Sequence, residues 1–156
     1  MNQADFKNLI KIAISNFLYL HGNLLKIDVN ERSITHKFAE CLTPLFPEWD
    51  IDCEYNRVGK EPYDSKRIGL FSENISSNDE KAVTIYPDII IHHRRKTGLD
   101  NNLAVIEFKK KSTNKSEKDK DIGKIKKIKN ELKYQIGAFI ECSTGNNPNL
   151  SFQLIK

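Results

Sequence analysis

Apolar and polar positions along this chain change period several times, and each change marks an element. From about Ala4 to Tyr19, Phe6, Leu9, Ile10, Ala13, Ile14 and Phe17 recur every three or four positions, which predicts an amphipathic packing helix. His21-Gly22-Asn23 breaks that pattern. A second helix is predicted from Glu31 to about Leu45. Asn30 is a good N-cap, Ile34, Phe38, Cys41, Leu42 and Leu45 form its buried stripe, and Pro44 and Pro47 mark its end. Trp49 to Tyr55 alternates at period two and reads as a strand. Asn56 to Thr84 has no clear period. A stretch of that length in a compact domain is a functional loop or hides a short element, for which Tyr63, Ile68, Leu70 and Phe71 are the candidates.

The clearest pattern runs from Tyr86 to Lys110. Two apolar runs, Asp88-Ile89-Ile90-Ile91 and Leu103-Ala104-Val105-Ile106, flank a polar turn, which predicts two neighbouring buried strands. Ser112 to Lys120 reads as a polar linker. Asp121 to Lys133 reads as a helix with Ile122, Ile125, Ile128 and Leu132 inward and Lys124, Lys126, Lys127 and Lys129 largely outward. Gln135 to Cys142 is predicted as a strand, Gly145 to Asn149 as a turn, and Leu150 to Ile155 as a last edge strand. This order implies an α/β fold, one domain over residues 1–156, with a mixed central sheet flanked by helices and an extra N-terminal helix.

Charge inside the hairpin adds chemistry to that picture. Successive strand side chains alternate faces, so Glu107 and Lys109 share one face and Phe108 takes the other. With the strands adjacent, Asp88 faces Glu107. Two carboxylates brought together in a partly buried place repel, and one is driven towards protonation unless a cation intervenes. Mg²⁺ suits such a pair, completing its shell with water and phosphate oxygens. The bland alternative is a solvated Glu-x-Lys pair that contributes little. Glu31 is likewise open to two readings, a site carboxylate or an acid favoured in a helix's first turn.

Composition narrows the classes. The chain has 156 residues, 38% apolar and 29% charged, enough for a real core under a heavily charged surface. The first segment is interrupted by Lys7, Lys11 and Asn16, and no run reaches the ~18 apolar residues of a membrane span, so a cytoplasmic protein without membrane contact is expected. Cys41, Cys53 and Cys142 lack metal-site spacing and read as buried free thiols. Net charge is +4, but Glu107 to Lys133 alone carries 11 Lys against 5 acids. That footprint suits a polyanion, or is a solvated helix face. His92, His93, Arg94 and Arg95 read as a solvated strand end, and His36 as a structural or surface histidine.

Glu31 on a helix, a strand, Pro87-Asp88 on a second strand and Glu107-Phe108-Lys109 on a third resemble the PD-(D/E)XK nuclease superfamily. The likeness covers about residues 31 to 142 and its small single-domain members, with residues 56–84 a long loop. It implies a restriction-endonuclease-like αβββαβ core and Mg²⁺-dependent hydrolysis of phosphodiester bonds by a DNA endonuclease, RNA being the other substrate left open, with Mn²⁺ as a substitute. By the same resemblance, Asp88, Glu107 and the Phe108 backbone carbonyl would hold the metal, and Glu31 would complete its shell, through water in some members. Lys109 would orient the attacking water. Gln135 falls where some members carry a polar residue, and Glu40 ranks below Glu31 as the helix acid. Lys110, Lys111, Lys124 and Lys127 would hold the nucleic-acid backbone, and a homodimer is an expectation of the likeness. The competing reading is a catalytically inactive nucleic-acid-binding or protein-interaction module of the same fold.

Overall fold

The computed structural model describes residues 1–55, 67–69, 82–84 and 86–156, with 67–69 and 82–84 described by their backbone alone. Two helices come first, α1 (Gln3–Lys26) and α2 (Glu31–Leu42), followed by β1 (Asp50–Cys53). β2 (Arg67–Gly69) and β3 (Ala82–Thr84) form a small antiparallel pair. β4 (Ile89–His92), β5 (Asn102–Lys110), α3 (Lys115–Glu131), β6 (Ile136–Ser143) and β7 (Asn149–Ile155) complete the chain.

The predicted hairpin is present, with Ile89 opposite Ile106 and Ile91 opposite Ala104 in antiparallel register. β1 adds antiparallel to β4, and β7 to β6. β5 and β6 run parallel. Parallel neighbours need a long crossover, and α3 supplies it. The result is an α/β fold with a mixed five-stranded sheet in the order β1-β4-β5-β6-β7. Among the described residues, no helix is long and apolar enough to cross a membrane.

Alternation along β5 sorts the two faces. Ala104, Ile106 and Phe108 join the larger core with α1 and α2, where Phe108 meets Phe38 edge-on at 5.1 Å between ring centroids. Val105 joins a smaller core of Ile90, Ile125, Ile128, Tyr134, Phe139 and Ile155 under α3. Glu107 and Lys109 continue that second face towards the end of the strand.

Several boundaries differ from expectation. α1 passes through His21-Gly22-Asn23 without a break and ends where Asp28 adopts a φ of 53°. A single glycine weakens a helix but does not stop one anchored by buried Phe17 and Leu25 on either side. α3 starts six residues before Asp121, inside the expected linker. The Asn114 side chain caps the Glu117 N–H at 2.9 Å, and Glu117 Oε1 accepts back from the Asn114 amide at 3.2 Å. This is a side-chain variant of the capping-box signature. Residues 56–84, read as a functional loop or a hidden short element, hold β2 and β3, and the candidate Ile68 lies in β2, while Tyr63, Leu70 and Phe71 fall outside the described residues.

His92 is a clear correction. It is buried, not solvated, and its Nε2 lies 2.9 Å from Asp52 Oδ2. Arg94 Nε donates to the same carboxylate oxygen at 2.8 Å. Burial opposes the Asp52 charge, but bonds from His92 and Arg94 outweigh it and hold this carboxyl well below the usual range. His93 stacks on Trp49 at 4.3 Å. Asp50 Oδ2 accepts the Arg94 N–H at 2.8 Å, and both aspartates arrive from β1, so the tetrapeptide alone could not reveal them. Cys41 and Cys142 are buried as expected, whereas Cys53 is only partly so, and all three thiols are free.

Candidate functional site

β5 outruns β4 at the end of the sheet where the hairpin strand begins. Just before β4 the Asp88 side chain takes over from the backbone ladder, its Oδ2 accepting the Phe108 N–H at 2.8 Å. The register that pairs Ile89 with Ile106 carries one step further to Asp88 opposite Glu107. The two carboxyls therefore face each other across adjacent strands, and burial first, then the Asp88 charge, pushes Glu107 up to about 8. Asp88 is also raised, by burial, against the pull of the Phe108 N–H. Glu107 is 2% exposed.

α2 delivers Glu31 to the same place. Asn30 caps the helix by accepting from the Ser33 N–H at 2.8 Å, which fixes Glu31 as the first helical residue. Its Oε2 accepts the Lys110 N–H at 3.0 Å, and its Oε1 lies 3.4 Å from Lys109 Nζ. α3 closes the opposite side. Asp121 Oδ2 is 3.1 Å from Lys109 Nζ. Lys124 Nζ lies 2.8 Å from Glu107 Oε1, donates to Oε2 at 2.9 Å and to the Tyr86 carbonyl at 3.0 Å. Burial alone would lower the Lys109 pKa, but Asp121 and Glu31 outweigh it and raise it, so Lys109 is an ammonium ion here.

The four residues singled out by sequence, Glu31, Asp88, Glu107 and Lys109, are thus gathered at one end of the sheet, with the Phe108 backbone among them. Other expectations come out differently. Lys124 does not point outward to hold a polyanion; it turns onto Glu107. Lys110 pairs with Asp28 at 2.7 Å. Lys111 is exposed beside the β6–β7 turn. Lys127 lies on α3, half-buried. Gln135 donates to the Leu99 carbonyl at 2.8 Å. Because Glu107 sits opposite Phe139, Gln135 lies four residues back along the parallel strand, roughly 13 Å from the cluster. Glu40 is bound to Lys37 on the far part of α2, apart from the site. Asp121 and the inward Lys124 were missed. Their signal was present, since positions 121, 124, 125 and 128 share one helical face.

A cleft of about 630 Å³ opens against this cluster, bounded by Asn30, Glu31, Arg32 and Thr35 of α2 and by Cys53 and Asp88. Burial pushes the Cys53 thiol up to about 11, which makes it a poor nucleophile at neutral pH.

Among the described residues, no three His, Cys, Asp or Glu side chains stand close enough together to hold an ion as they are placed. The donor chemistry nevertheless suits a hard cation. Glu107 Oε1 and Asp121 Oδ2 are buried carboxylate oxygens whose partners are the ammonium groups of Lys124 at 2.8 Å and Lys109 at 3.1 Å. Such oxygens are the ligands Mg²⁺ takes.

Comparison of the chain with protein-family models, with curated proteins and with solved structures yields no match.

Proposed function

We propose that the protein is a metal-dependent nuclease of the PD-(D/E)XK type, with a restriction-endonuclease-like core, acting on DNA or RNA. One observation carries the reading. Glu31, Asp88, Glu107 and Lys109, drawn from a helix and two strands, meet at a sheet end beside an open cleft. Asp88 and Glu107 would hold Mg²⁺, with Glu31 and the Phe108 carbonyl nearby. The metal would supply a hydroxide at neutral pH and polarise a phosphoryl oxygen. The chain's own part is electrostatic. Lys109 offers an ammonium 3.4 Å from Glu31, which lines the cleft, to orient water and offset charge growing on phosphate. Glu31 and Asp121 orient Lys109, and the Asp88–Phe108 bond keeps the carboxylate in place.

The test incubates purified protein with branched, linear and single-stranded DNA, and with RNA, in Mg²⁺ or Mn²⁺, beside Asp88→Asn and Lys109→Ala. Cutting by the wild type that is lost in both variants supports the reading; cutting that persists in both points to a contaminant and removes it. A second reading, a nucleic-acid-binding module without catalysis, draws on the lysines that already neutralise the carboxylates. Binding without cutting would favour it.

A further inference from the structure

Lys124 is the part of this cluster that the nuclease reading does not use. Its side chain reaches down from α3, with Ile125 and Ile128 of the same face buried against the sheet. Its ammonium sits among three oxygens, both carboxylate oxygens of Glu107 and the Tyr86 carbonyl, at 2.8 to 3.0 Å. A carbonyl and a carboxylate converging on one point is the environment a cation takes, and here the cation is covalently tethered. Glu107 is nearly fully buried and Lys124 is the cation at both of its oxygens, so without that ammonium the carboxyl group would face Asp88 with nothing to offset it.

We infer that Lys124 is a built-in counter-ion, whose ammonium holds the place of a divalent cation at Glu107 and must swing away before one binds. The inference rests on the metal-dependent reading and assigns Lys124 a regulatory part in it: metal affinity is the outcome of a competition between the ion and this side chain. Lys124 has somewhere to go, since its side chain is 27% exposed and α3 presents that edge to solvent. Lys109 is engaged elsewhere, its ammonium 3.1 Å from Asp121 Oδ2 and 3.4 Å from Glu31 Oε1.

The experiment is Mn²⁺ titration calorimetry on the full chain, with melting curves recorded without metal and at saturating Mn²⁺. Lys124→Met keeps the aliphatic stem and removes the charge. It is expected to melt several degrees below wild type without metal, to bind Mn²⁺ about tenfold more tightly, and to regain its stability on binding. Lys124→Arg keeps a cation and is expected to bind as wild type does, and Glu107→Gln to bind far more weakly. Should Lys124→Met be unfolded without metal, recovery of its helical signal on adding Mn²⁺ supports the inference equally. Unchanged or weaker Mn²⁺ affinity in Lys124→Met overturns it, as does undiminished binding by Glu107→Gln. A wild type that cuts DNA while Lys124→Met shows no gain in affinity removes this inference alone. Tightened binding in Lys124→Met without cutting by the wild type removes the nuclease reading alone.

Discussion

Glu107 sets the behaviour expected at the scale of single residues. An acid raised in the folded state keeps a proton that the unfolded chain has already lost. Between the ordinary value of 4.5 and about 8, the folded protein therefore binds more protons, and stability falls as pH rises through that window. Asp88, also raised, adds in the same direction. Asp52, held low, acts oppositely, contributing above the ordinary carboxylate range and losing that contribution only in acid. Melting temperature in metal-free buffer is thus expected to decline from about pH 5 to about pH 8. The decline should shrink in Glu107→Gln to the part Asp88 retains. A wild-type profile that stays level or climbs over that range would contradict this account of the buried acid.

Legibility at this scale was uneven, for a physical reason. Glu107 and Lys109 sharing a face follows from strand alternation, and Asp88 opposite Glu107 follows once the hairpin forms, so both could be read from local pattern. Glu31 is 78 residues from Lys109, and only the cap at Asn30 hinted at its place. His92 was misread because the residues that follow it, His93, Arg94 and Arg95, are polar, while the Asp52 that pairs with it belongs to another strand.

Among the elements, α3 decides the most. It crosses β6 so closely that a Cβ on Gly137 would come within 2.5 Å of Ile125 Cγ2. Ile125 is β-branched and fully buried, so that methyl has little freedom to move aside. Gly137→Ala is therefore expected to cost about 1–3 kcal/mol, the usual range for overpacking. The shift of α3 should also weaken the Lys124–Glu107 contact. Denaturant unfolding measures the first, and a change in the pH dependence of melting reports the second. A substitution without effect on stability would mean that α3 adjusts freely. Nothing in the local pattern singles this glycine out, because the helix above it belongs to tertiary packing.

For the whole molecule, charge is less one-sided than the chain's arithmetic suggests. Of the 11 lysines between Glu107 and Lys133, Lys109, Lys110, Lys118 and Lys124 are engaged by Glu31, Asp121, Asp28, Glu141 and Glu107. Lys115, Lys120 and Lys126 on α3 remain exposed. If the protein holds a nucleic-acid backbone, those three are expected to carry it. Their combined replacement by Ala should weaken duplex binding and flatten its dependence on salt by roughly 0.9 per lost phosphate contact on a logarithmic plot. The fold should remain intact. Fluorescence anisotropy across a salt series checks this, and an unaltered slope would place the contact elsewhere.

The chain by itself determined the order of helices and strands, the antiparallel hairpin and the face that Glu107 shares with Lys109. These depend on periods of two and 3.6 residues, which backbone geometry imposes locally. Tertiary structure alone decided that α3 lies over that face, that Asp121 and Lys124 complete the cluster, and that His92 is buried against Asp52. Those partners are set by how separate segments pack, and no spacing within one segment encodes which charge from another will arrive beside it.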